Sequence, residues 1–192
     1  ILKEDVRTSH IPIILLTAKD SLQDKEEGYQ VGADSYLTKP FSATLLHSRI
    51  NNLLESRKRL TERFNTSTPH HNMDEKRALL AESLNKLDNE FIEKINQLIE
   101  ARLSSEKIDI GYLADNMCMS KSTLYRKMKA LTGLSTNEYV RKIKMQHAER
   151  LLLEGRYNIS EVAFRVGINS VVYFRQCFKE EFGVLPSEYL KQ

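Results

Sequence analysis

SKSTLYRKMKALTGLSTNEY (residues 120–139) and SVVYFRQCFKEEFGVLPSEY (residues 170–189) are one pattern written twice. Ser120, Lys129, Gly133, Glu138 and Tyr139 return fifty positions later as Ser170, Lys179, Gly183, Glu188 and Tyr189. Leu124 and Met128 are answered by Phe174 and Phe178. A short helix pattern containing Leu113-Ala114 or Val162-Ala163 precedes each copy. Each copy therefore reads as helix, turn, helix. Two such units in one chain point to a protein that grips duplex DNA twice.

Within the first copy, Ile110–Asn116 makes a short helix and Cys118-Met119 the turn. Ser120 is a good N-cap for a second helix running to Leu131. Leu124, Met128 and Leu131 share its buried face. Lys121, Ser122, Tyr125, Arg126 and Lys129 fall on the other. The helix has four basic residues and no acid, and it sits where such units read the major groove. Gly133 ends it in a left-handed cap. Ser135 with Glu138 is a capping box. It launches a helix to about Glu154, with Gly155 as its stop. About 19 residues at ~1.5 Å each give a strut of roughly 28 Å. Reading helices in successive grooves sit about 34 Å apart. Arg141, Lys142 and Lys144 on the strut are candidates for phosphate contacts.

The second copy runs Ser160–Val166, a turn at Gly167-Ile168-Asn169, and a helix over Ser170–Phe182. Phe174, Phe178 and Phe182 are expected inward as core. Asn169, Ser170, Val171, Val172, Arg175, Gln176 and Lys179 are the outward candidates. Pro186-Ser187-Glu188 opens a last short helix.

The composition fits this picture. With 192 residues and 41% hydrophobic residues the chain can bury a core. The formal charge is +3, unevenly spread. Residues 1–60 hold 9 Lys+Arg and 8 Asp+Glu, residues 61–103 hold 6 and 8, and residues 104–192 hold 14 and 10. The excess lies with the repeat, as phosphate binding needs. Cys118 and Cys177 make no disulfide framework and suit a reducing compartment. Each is expected to fill a small apolar gap. No apolar run reaches the ~18 residues of a membrane span, and no signal peptide is visible. The chain opens at Ile1 without Met and reads as a piece of a longer protein. A cytoplasmic location is expected, with membrane anchoring through upstream segments left open.

Ahead of the repeat, Ile11–Leu16 is an almost unbroken apolar run, the pattern of a strand covered on both faces. A helix capped by Asp20 or Ser21 and ending near Gly32 follows. Ser35–Thr38 is a second strand, and a helix from about Ser42 to Arg59 closes a parallel crossover. Thr17 and Lys39 then lie at the carboxyl edge, where open α/β sheets hold ligands. Thr61–Asn72 is a polar linker, and its His70-His71 pair lacks partners for a metal. Leu80, Leu84, Leu87, Phe91, Ile95 and Leu98 form a helical stripe, which Asp88 divides by capping a second helix. Packing on the following domain is favoured over a dimerising coiled coil.

HIPIILLTA and GADSYLTKPF resemble the second half of a response-regulator receiver domain. The resemblance implies that Thr17 binds a phosphoryl group, that Lys39 pairs with its oxygen before a cis Pro40, and that Tyr36 reorients on activation. The family's phosphoacceptor Asp and magnesium-binding acidic pair lie upstream, so no phosphoacceptor, metal site or cofactor is expected here. Mg²⁺ belongs to a complete receiver only. LADNMCMSKSTLYRKMKALTG, ISEVAFRVGINSVVYF and FKEEFGVLPSEYL resemble the AraC-type DNA-binding domain. That resemblance places Ser122, Tyr125 and Arg126, then Val171, Val172, Arg175 and Gln176, against bases. The two together resemble the cytoplasmic end of a hybrid two-component regulator.

The expected fold is mostly α. A partial α/β receiver remnant with two parallel strands (residues 1–60) leads into a linker and connector helix (61–87). An all-α double helix-turn-helix domain (88–192) follows. The expected function is sequence-specific transcription regulation as the output module of a phosphorelay. The alternative is a phosphosignalling protein-interaction module. The chain itself shows no nucleophile–base pair or Gly-rich phosphate loop and is not read as an enzyme, although a histidine kinase upstream in the parent fits the resemblance. Expected partners are double-stranded DNA, a second copy when active, a sensor kinase in cis or trans, and RNA polymerase.

Overall fold

In a computed structural model describing residues 2–18, 32–65, 85–104 and 108–190, the sequence repeat folds around one continuous apolar core. The leading segment supplies strands β1 (Ile14–Thr17) and β2 (Ser35–Thr38). They pair in parallel, with Ile14 opposite Ser35 and Thr17 opposite Thr38. The expectation that the first strand is covered on both faces is not met. Ile11 is 46% and Leu16 43% exposed. Among the described residues the sheet has two strands, and an apolar run needs flanking layers to be buried on both sides. The helix expected between the strands lies outside the described residues.

Helix α1 (Ala43–Asn65) follows β2 and extends beyond the expected Arg59. Thr61 and Glu62 are polar but contain no Gly or Pro to stop a helix, so polarity alone marked the linker too early. The rest of that linker, with His70, His71, Leu80 and Leu84, lies outside the described residues. Helix α2 (Lys86–Glu100) buries Phe91, Ile92, Ile95 and Ile99 in the main core. This is packing onto the following domain, as favoured. Its cap is Asn85, whose side chain accepts from the Asp88 amide at 2.9 Å. Asp88 is therefore not the cap. It occupies the first turn and is buried at 2% exposure.

The repeat supplies α3 (Ile110–Asn116), α4 (Lys121–Thr132), α5 (Thr136–Leu153), α6 (Ile159–Arg165), α7 (Val171–Phe182) and α8 (Pro186–Tyr189). Local chemistry sets each boundary. Asp109, Ser120, Asn158 and Ser170 cap α3, α4, α6 and α7 through side-chain oxygens. Each satisfies an otherwise orphaned amide. The capping box of α5 forms as read, with the Ser135 amide donating to Glu138 Oε2 at 2.7 Å and the Glu138 amide to Ser135 Oγ at 3.3 Å. That backbone bond holds the Glu138 carboxyl below its usual range. Gly133 (φ 73°) and Gly183 (φ 79°) close the two equivalent helices in left-handed geometry.

Helix α5 runs between the two units and is shared by both. Ile143, Met145, Ala148 and Leu152 join Leu113, Leu124 and Met128 of the first unit to Val162, Phe174 and Phe178 of the second. Phe182, half-buried, packs 4.5 Å from Phe178, and Tyr189 meets Phe178 edge-on at 5.6 Å. The three phenylalanines are core, as expected. Among the described residues no helix is long and apolar enough to cross a membrane.

Candidate nucleic-acid interface

The two units close their turns with the same backbone bond. Met119 donates to the Ala114 carbonyl at 3.0 Å, and Ile168 to the Ala163 carbonyl at 2.9 Å. The second turn is one residue longer, because Asn169 stands before the Ser170 cap. Both need a residue at positive φ. The second uses Gly167 (φ 66°), the first Cys118 (φ 52°). Cys118 is exposed, against the expectation that it fills an apolar gap, because the left-handed turn directs it out of the core. Cys177 is buried as expected.

Helix α4 turns Leu124, Met128 and Leu131 inward and leaves Lys121, Ser122, Tyr125, Arg126 and Lys129 exposed. Helix α7 repeats this with Asn169, Ser170, Val172, Arg175, Gln176 and Lys179 exposed, and Val171 half-buried. Val172 is 77% exposed, a high value for an aliphatic side chain. Tyr173, which sequence reasoning passed over, joins this surface at 50% exposure. Arg141 of α5 hydrogen-bonds to it. The signal was weak, because Thr123 stands at the matching place in the first copy.

The surfaces differ in charge. Helix α4 presents cations and no acid. On α7, Gln176 donates to Glu180 at 3.1 Å, so a carboxylate lies one turn from this candidate.

Three lysines depart from the simple reading. The strut's Lys142 and Lys144 are each 5% exposed and are not available to phosphates. Lys142 pairs with Glu181 at 3.1 Å, and Lys144 donates to the Gly167 carbonyl at 3.3 Å. Arg141 lies 3.5 Å from Glu180. These cations instead fasten the second turn and α7 to α5. Lys127, counted among the four basic residues of the first reading helix, is fully buried and pairs with Asp88. Tertiary contacts that bury an amphipathic side chain leave no local sequence signature.

In the leading segment, the Lys39 amide donates to the Thr17 carbonyl at 2.7 Å, which brings the two candidate switch residues to one sheet edge. Lys39–Pro40 is cis, as the resemblance implied. Tyr36 is half-buried opposite Leu15. Among the described residues no three His, Cys, Asp or Glu side chains cluster. Thr17 and Lys39 bring no carboxylate of their own. The described residues at this edge do not fit a magnesium ion, and no phosphotransfer step follows from them.

Residues 113–192 match the model of a helix-turn-helix domain family, and residues 2–51 match the response regulator receiver domain. The chain joins receiver sequence to an AraC-type helix-turn-helix domain. Over 188 residues it is 35% identical to a protein named histidine kinase P4 of Formosa agariphila, covering 98% of this chain and 13% of that one. The AraC-type region is 32% identical over 99 residues to Rns of Escherichia coli, a DNA-binding dual transcriptional regulator, covering 52% of this chain and 37% of that one. Among solved structures, the C-terminal domain of AraT, a response regulator from Geobacillus stearothermophilus, is 31% identical with a TM-score of 0.48, covering 53% of this chain and 84% of that one. The chain thus spans well under half the length of both curated relatives.

Proposed function

We propose that this chain is the DNA-reading output end of a two-component regulator. It grips one duplex through α4 and α7 held on a common strut. The observation that carries the proposal is the pairing of two equivalent helices, each N-capped, each buried on one face, each with its polar face open to solvent. Helix α4 supplies Arg126 for bidentate bonding to guanine, with Lys121 and Lys129 for phosphates. Helix α7 supplies Arg175 and Gln176, the latter suited to adenine. The match to histidine kinase P4 along nearly the whole chain supports a parent with its sensor kinase in the same polypeptide. A complete receiver there supplies the phosphoacceptor and Mg²⁺. Phosphorylation would bring two output ends together in the cytoplasm and raise occupancy of paired sites, with RNA polymerase as a further partner.

Mobility-shift titration across salt tests the reading. Affinity is expected to fall linearly in log–log form as phosphate contacts are screened. Arg126→Ala is expected to lose about 1–3 kcal/mol, with relaxed preference at one base pair. Binding that ignores salt would instead indicate a protein-interaction module.

A further inference from the structure

Lys127 and Cys177 occupy the same place in the two copies of the repeat, and both are buried. Cys177 is the ordinary solution, a small apolar side chain in a core. The fold therefore does not require a lysine there. Burying an ammonium is costly unless its partners are well placed, and burial does hold the Lys127 amine below its usual range.

Its partners come from two separate parts of the chain. Asp88 of α2 forms the ion pair. Ser9, in the turn preceding β1, completes the arrangement. Lys127 Nζ donates to Ser9 Oγ at 2.9 Å, and Ser9 Oγ donates to Asp88 Oδ1 at 2.7 Å. Asn85 Nδ2 donates to the other Asp88 oxygen at 2.8 Å and to the Ser9 carbonyl at 3.3 Å. The Phe91 ring lies 4.8 Å from the ammonium. Ser9 and Lys127 are both 0% exposed, and Asp88 is 2% exposed. Around this contact Val6 packs on the main core, and Arg57 of α1 donates to the His10 carbonyl.

We propose that Ser9, Asp88 and Lys127 form an intramolecular docking joint that fastens the receiver segment to the back of the first reading helix. Among the described residues the second reading helix, with Cys177 in place of lysine, has no such attachment. The joint meets α4 on the side opposite Ser122, Tyr125 and Arg126, so docking leaves the reading face open. It ties the stability of α4, and not that of α7, to the receiver segment.

The test is amide hydrogen exchange on the 192-residue chain, without DNA, so its outcome is independent of the proposed DNA reading. Ser9→Asp sets a carboxylate against Asp88. Exchange in residues 2–11 and across α4 is expected to quicken on the order of tenfold, the worth of one charge-assisted hydrogen bond, with α7 unchanged. The double variant Asp88→Asn with Lys127→Met removes both charges and is expected to free residues 2–11 likewise while circular dichroism keeps its helical signal. Unchanged protection of residues 2–11 in a folded variant would overturn the joint. Release of residues 2–11 with α4 unaffected, or equal loosening of α4 and α7, would overturn the coupling.

Discussion

Helices α4 and α7 share their framework and differ in nearly everything placed upon it. Both begin at a serine cap, end at a left-handed glycine and bury the same three positions, Leu124, Lys127 and Met128 in α4 and Phe174, Cys177 and Phe178 in α7. Yet α4 shows solvent cations and no acid, while α7 sets two valines, a tyrosine and a glutamine beside Arg175, Lys179 and a carboxylate. Helix α4 is held from behind by a buried ion pair, α7 by the cations of α5. The framework is dictated by the need to fold. The differences are free of that need and so point to function. On the proposed function the first unit meets phosphate and guanine, and on the proposed joint it is keyed to the receiver segment. On the same proposed function the second, fixed to the strut, adds apolar side chains to Arg175 and Gln176 for contact with base edges.

The largest expected difference between the units concerns their buried positions. Asp88→Ala leaves the Lys127 ammonium without its carboxylate and is expected to cost about 3–5 kcal/mol. Cys177→Ala removes one small buried group and is expected to cost only about 1 kcal/mol. Urea unfolding of the two variants compares them directly. Equal losses would mean that the pair is no more than ordinary packing.

A smaller effect separates the turns. Cys118 holds a left-handed conformation that costs an L-residue roughly 1–2 kcal/mol, whereas Gly167 adopts it freely. Cys118→Gly is expected to raise stability by up to about 1 kcal/mol and Gly167→Ala to lower it, both measured as shifts in the urea midpoint.

The smallest effect separates the reading faces. Replacing thymine by deoxyuridine removes one methyl and nothing else. In the half-site under α7 it is expected to weaken binding about fourfold per contacted methyl, near 0.8 kcal/mol. Val172→Ala is expected to abolish that sensitivity. The same replacement under α4 is expected to change little. Equal sensitivity of both halves would remove the assignment of Val172 to a thymine methyl.

Features fixed by neighbours in sequence were legible from the residues alone. The serine caps, the Ser135–Glu138 box, Gly133 and Gly183 and the aromatic stripe of α7 all rest on contacts within four residues, and all appear where the sequence placed them. Features fixed by distant partners were not. Lys127, Lys142 and Lys144 look like any solvated cation, because what buries them is Asp88, Glu181 and the Gly167 carbonyl from other elements. Asn85 displaced Asp88 as a cap because either residue type serves, and burial of Asp88 against Lys127 settled the choice. Helix α1 outran its expected end because no Gly or Pro lies between Arg59 and Asn65 to break it. The outward faces of α4 and α7 were legible as surfaces, since their inward stripes were. Tyr173 was missed because its partner, Arg141, comes from another helix.

The claim on which the account rests is that α4 and α7 occupy one duplex together at a spacing set by α5. Insertion of five base pairs between the two half-sites of a selected operator turns one half-site to the far side of the helix, since a full turn is about 10.5 base pairs. The account predicts that affinity drops to the level of a single half-site, on the order of a hundredfold, and returns partly with a ten-base-pair insertion only if the chain can bridge it by bending DNA. Equal affinity for the native and five-base-pair spacings would contradict it.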